Sequence, residues 1–144
     1  MAQRFGLVDL FAGPGGLSEG FAAAGARVSG GTISNRLSVE MDSHAVRTLK
    51  LRKFLRSFEE GFPTEYYCAL SEWHSTRDPG AAVSETMKRN WPSRWKAIEE
   101  DVLQLTLGET GVFDLLAKRL DHIREQLPRQ RPTRGRRHSA RSSM

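Results

Sequence analysis

A chain of 144 residues with 38% hydrophobic and 27% charged side chains is long enough for one domain with its own core, and its balance is that of a globular protein. No window of eighteen consecutive apolar residues occurs, which excludes a membrane-spanning helix. The single cysteine, Cys68, excludes an internal disulfide. The formal charge of +5 belongs to the C-terminal segment. Residues 128–144 hold six arginines and no acid, so 1–127 carries −1 and has no net bias toward nucleic acid.

Met1-Ala2-Gln3-Arg4 leads into the first element without an apolar signal region, so a cytoplasmic location is expected. Phe5–Leu10 (FGLVDL) is a short apolar run before a glycine-rich turn and predicts a buried strand. After Phe11-Ala12-Gly13-Pro14-Gly15-Gly16, a helix is expected from about Leu17 to Ala24. Leu17, Phe21 and Ala24 stand at i, i+4 and i+7, and Gly25 is a natural stop. Residues 25–36 are rich in Gly, Ser and Asn and predict a loop. Leu37–Met41 (LSVEM) predicts a second strand, and Asp42 or Ser43 can cap the helix that follows. That helix carries an apolar stripe of Leu51, Phe54, Leu55 and Phe58, which leaves Arg52, Lys53 and Arg56 to a solvated face.

Pro63, Pro79, Gly80 and Pro92 interrupt 61–97. The expectation is an irregular insertion whose Tyr66, Tyr67, Trp73, Trp91 and Trp95 tuck onto the core; bases interleaved with aromatics are also a pattern of nucleic-acid binding. Asp101–Leu107 (DVLQLTL) alternates at period two and predicts a third strand. Phe113, Leu116, Leu120, Ile123 and Leu127 mark a last helix, ended by Pro128. Residues 128–144 cannot bury enough apolar surface to offset their ordering entropy and are expected to be a disordered, Arg-rich tail. Strands alternating with helices predict an α/β fold over 1–127, a partial doubly wound parallel sheet with right-handed crossovers.

Ligands of such sheets bind beyond the carboxyl ends of the strands. There the first strand ends in Asp9-Leu10-Phe11-Ala12-Gly13-Pro14-Gly15-Gly16. Glycines admit positive φ and close backbone approach, and a helix start at Gly16–Leu17 offers free N–H groups suited to a carboxylate. The spacing is not G-x-G-x-x-G, so a pyrophosphate cradle fits poorly. Taken alone, the turn also reads as a plain strand-to-helix connection. Glu40 closes the second strand, where an acid can accept from two ribose hydroxyls; taken alone it reads better as an exposed strand-end carboxylate. Asp101, at the edge of the third strand, can meet an adenine amino group or serve as a cap.

Asp9-Leu10-Phe11-Ala12-Gly13-Pro14-Gly15-Gly16-Leu17 resembles the first motif of DNA cytosine-5 methyltransferases, D-L-F-x-G-x-G-G. Val39-Glu40-Met41-Asp42 with His44-Ala45-Val46 is similar to the second motif, and Glu100-Asp101-Val102 to the third. The resemblance implies a Rossmann-like domain that binds S-adenosylmethionine (SAM). Phe11 and Met41 would pack at the adenine, the Gly13–Gly16 backbone would line the methionine part, Glu40 would hold the ribose and Asp101 the adenine amino group. Asp9, Ala12, Gly13, Gly15, Gly16, Leu17 and Val102 complete the implied cofactor site. DNA is the implied partner, and restriction–modification the implied setting.

The family attacks cytosine with the thiolate of a Pro-Cys-Gln motif, because C5 is too unreactive to take a methyl group directly. No Pro-Cys pair occurs here, and Cys68 (Tyr66-Tyr67-Cys68-Ala69) reads as a small packing residue. No catalytic residue and no metal site is therefore expected. The expectation is an N-terminal, SAM-binding part that is inactive alone, with the coding frame shifted near residue 127. The alternatives are half of a split enzyme whose second chain carries Pro-Cys-Gln, or a non-catalytic SAM or nucleic-acid binding module. For the last, Arg134-Gly135-Arg136 resembles an A·T hook, though Arg137 stands where a hook carries proline.

Overall fold

A computed structural model describes residues 3–27, 31–72 and 77–126. Three strands, β1 (Gln3–Asp9), β2 (Gly31–Glu40) and β3 (Val102–Gln104), form one sheet in the order β1-β2-β3 with both pairings parallel. Six helices occur among the described residues: α1 (Gly16–Arg27), α2 (Ser43–Arg56), α3 (Thr64–Ser71), α4 (Pro79–Asn90), α5 (Pro92–Asp101) and α6 (Val112–Gln126). The chain is thus α/β, with a parallel sheet covered on both faces. The tail, 128–144, lies outside the described residues, as do Trp73 and Leu127.

The two faces of β2 separate the layers. Leu37 and Val39 point to α6 and are buried with Val112 and Leu116, while Val8, Leu103, Leu105 and Leu107 pack around them. The period-two pattern of 101–107 thus holds for burial, although the strand itself is confined to Val102–Gln104. Ser38 lies between Leu37 and Val39 and points to the opposite face, where α1 and α2 lie. That face carries the larger core: Val46, Leu49, Phe54 and Leu55 of α2, Val83 and Met87 of α4, Trp95 and Ile98 of α5, and Val102.

Phe54 is fully buried at the centre of an aromatic cluster. Its ring centroid lies 5.2 Å from Phe58, 5.9 Å from Trp91 and 5.2 Å from Trp95, the range of favourable edge and tilted pairs. Arg94 closes the cluster with its guanidinium 4.2 Å from the Phe58 ring centroid.

Three expectations are corrected. Residues 31–36 are strand rather than loop, because parallel pairing from Gln3↔Gly31 to Leu7↔Asn35 satisfies their backbone in spite of polar side chains. The described residues of 61–97 fold mainly into α3, α4 and the start of α5 rather than an irregular insertion. Pro79 and Pro92 stand at first helical positions and Pro63 is the N-cap of α3, places where a missing N–H costs nothing. The aromatics Trp91, Trp95 and Tyr66 do pack on the core as expected, whereas Tyr67 is exposed.

The third correction concerns α1. It runs through Gly25 to Arg27, and its sheet-facing side is Ser18, Ala22 and Gly25, while Leu17 and Phe21 stay exposed. Small residues let the helix lie close to β2. A Cβ on Gly25 would stand 2.8 Å from Ile33 Cγ1 and 2.9 Å from its backbone nitrogen.

Candidate cofactor site

The loop between β1 and α1 is shaped from below. Ala12 N–H donates to the Val39 carbonyl at 3.1 Å, which carries the β1–β2 ladder past the end of β1. Gly13 and Gly15 then take φ of 51° and 94°, values that L side chains resist, and Gly15 N–H closes a turn on the Ala12 carbonyl at 2.9 Å. Gly15 is buried against α2: a Cβ there would meet Leu49 Cδ1 at 2.6 Å. Gly16 opens α1, whose first i→i−4 bond is Glu19 N–H to the Gly15 carbonyl, so the amides of Gly16, Leu17 and Ser18 precede the helical ladder.

Glu40 ends β2 beside this loop. Its Oε2 accepts from Gly13 N–H at 2.8 Å, and its Oε1 accepts from Met41 and Asp42 N–H, both at 2.9 Å. The Asp42 and Gly13 amides, then that of Met41, hold the carboxyl below the ordinary glutamate value, because each bond favours the ionised form. Asp42 in turn caps α2, its Oδ1 accepting from Ala45 N–H at 2.7 Å. Phe11 is 82% exposed, Met41 67% and Leu17 65%, so three large apolar side chains stand uncovered around the glycine turn and Glu40. Gln104 reaches the same rim: it is registered opposite Glu40, and its Nε2 donates to the Met41 carbonyl at 3.4 Å.

The expected site residues thus fall into two groups. Phe11, Ala12, Gly13, Gly15, Gly16, Leu17, Glu40 and Met41 gather at the carboxyl end of β1 and β2. Asp101 and Val102 do not join them. Val102 is paired with Ser38, two positions before the rim, and its side chain is buried in the larger core. Asp101 is the last residue of α5 and pairs with Lys53 Nζ at 2.8 Å. Asp9 is buried beneath the loop, where its Oδ2 accepts from Ser18 Oγ at 2.6 Å. It fixes α1 to β1 rather than facing outward.

Sequence reasoning missed the support of this loop. Ser18 Oγ also accepts from Asn35 Nδ2 at 2.8 Å, Asn35 exchanges hydrogen bonds with Ser38, and Lys53 Nζ donates to Asn35 at 3.3 Å. Arg52 donates to the Pro14 carbonyl at 3.1 Å and pairs with Glu19, which Arg56 also meets at 2.9 Å. The expectation of a solvated face is therefore corrected for Arg52 and Lys53, while Arg56 stays exposed as expected. Burial pushes the Lys53 ammonium below its ordinary value, against the pull of Asp101. No spacing rule links positions 19, 35 and 52–56, so no local signal was available. Cys68 is exposed on α3 rather than a packing residue.

Among the described residues no group of three or more His, Cys, Asp and Glu is placed to hold a metal ion, and no helix is long and apolar enough to cross a membrane. Comparison with known protein families, curated proteins and solved structures found no match.

Proposed function

We propose that this chain is the SAM-binding part of a Rossmann-like methyltransferase domain of the DNA cytosine-5 type, working in the cytoplasm on DNA. The observation that carries the reading is the 2.8 Å bond between Gly13 N–H and Glu40 Oε2, which ties a glycine turn with positive φ to a strand-end carboxylate at one rim. The residues there fit the cofactor in kind. The first-turn amides of α1 suit an amino-acid carboxylate, and Phe11 and Met41 offer uncovered apolar surface for a purine. Glu40 has three of its four lone-pair positions taken by backbone N–H groups. It therefore accepts one ribose hydroxyl as it stands and a second only by displacing one of the three amides. Gln104, rather than Asp101, is the polar side chain at the β3 side of the rim.

SAM, when bound, supplies an electrophilic methyl group. This chain's residues hold and orient it, and the nucleophile that activates cytosine is no part of the described site. That arrangement suits either a donor-binding part that is inactive alone or half of a split enzyme. The open edge of β1, which pairs on one side only among the described residues, favours a partner strand. A donor-binding module without chemistry is the remaining alternative.

Isothermal titration with SAM and with S-adenosylhomocysteine tests the proposal. Saturable binding that is lost in Glu40→Ala while the fold is retained is expected. A folded sample that takes up neither ligand at millimolar concentration overturns it.

A further inference from the structure

Arg36 is the extra residue of a bulge in β2: Leu7 pairs with Asn35 and Val8 with Leu37, so Arg36 has no partner on β1. A bulge re-aims its side chain. Arg36 lines a cavity of about 180 Å³ at the amino end of β3, remote from the glycine turn, together with Glu100 and Asp101 of α5 and Arg119, His122 and Gln126 of α6. Its Nε is buried and has no hydrogen-bond partner. Arg36 and Arg119 make no ion pair with any described residue. Asp101 is taken by Lys53 at 2.8 Å, and His122 shares a 2.8 Å hydrogen bond with Gln126. Glu100 is the one carboxylate on the cavity wall without such a partner, so with Lys53 included the groups around the cavity sum to a positive charge.

Two half-buried guanidiniums have unused donors, and the Nε of Arg36 is buried without an acceptor. Guanidinium forks match tetrahedral oxyanions, and a cavity of this size has room for one. We propose that the cavity between β2, α5 and α6 binds a phosphate-class oxyanion, held by Arg36 and Arg119, with Glu100 as the internal competitor that limits affinity. Its ligand is free phosphate or the phosphate of a monoester. The inference is independent of the SAM reading, since no residue of the rim takes part.

The test is titration of the full chain with inorganic phosphate at constant ionic strength, read by calorimetry and by amide chemical shifts. The expected result is saturable binding with shifts at Arg36, Glu100 and Ile123. Arg119→Gln, on a helix whose core contacts are Val112 and Leu116, weakens binding about ten- to a hundredfold, the loss of one charged hydrogen-bonding group. Glu100→Gln strengthens it. The arginines of 128–144 remain in both variants, so the difference reads the cavity. Methyl phosphate binding as well as phosphate assigns a monoester; phosphate alone assigns the free ion. Shifts confined to 128–144, or equal affinity in the native chain and Arg119→Gln, overturn the proposal.

Discussion

Gly15→Ala is the sharpest probe of the turn. Two costs add at this position. Its φ of 94° is a conformation that a side chain resists at roughly 1–2 kcal/mol. The new Cβ would also lie 2.6 Å from Leu49 Cδ1, a buried atom of the larger core, and such overpacking costs about 1–3 kcal/mol. Together they predict a loss of roughly 2–5 kcal/mol, a large share of the stability of an ordinary domain. At about 4 °C per kcal/mol this lowers Tm by roughly 8–20 °C. Gly16→Ala is the control: nothing lies within 4 Å of its added Cβ and its φ is not positive, so the change is about neutral or slightly stabilising. Urea denaturation of both variants, and of Gly15→Ala combined with Leu49→Ala, separates the two costs. The steric part appears as a coupling of about 1–3 kcal/mol by which the double variant is less damaged than the sum of the singles. Equal stability of the Gly15 and Gly16 variants, or strict additivity in the cycle, would refute this account of the loop.

Glu40→Gln should flatten the acid side of the stability profile. The native carboxyl titrates below the ordinary 4.5, so its contribution is fully present above that value and disappears as pH falls through the lower folded-state value. Melting curves over this range should converge for the two proteins, and parallel curves would contradict the role of the three amides. Phe54→Ala should cost about 3–5 kcal/mol, since the ring is fully buried among Phe58, Trp91 and Trp95; a loss below about 1 kcal/mol in chemical denaturation would show that the cluster collapses to fill the space. The open edge of β1, with Phe5 48% exposed, should make the isolated chain associate with rising concentration, and Phe5→Lys should reduce this in light scattering. A native chain that stays monomeric at every concentration would count against a sticky edge.

The sequence by itself determined what rests on local chemistry. The run FGLVDL before a glycine cluster could only be a short strand feeding a turn. Asp42 before a helix with the Phe54 and Leu55 stripe announced a capped, core-facing α2. The alternation of Leu103, Leu105 and Leu107 identified one face of the sheet. From these came the α/β class, while the pairing of the glycine turn with Glu40 came from the resemblance of the two motifs. Tertiary structure decided the rest, because the competing forces there act between residues far apart in the chain. Residues 31–36 look like loop until β1 supplies their hydrogen bonds. Pro79 and Pro92 read as breakers until each is seen to begin a helix that buries Met87 or Trp95. The side of α1 that meets the sheet is chosen by close approach at Gly25 to Ile33, not by its bulkiest residues. Asp101 reads as a strand-end acid, yet the chain enters β3 one residue later and Gln104 arrives beside Glu40 instead. Arg52 and Lys53, solvated by pattern, are drawn inward by Glu19, the Pro14 carbonyl and Asp101, partners that meet only when three elements pack together.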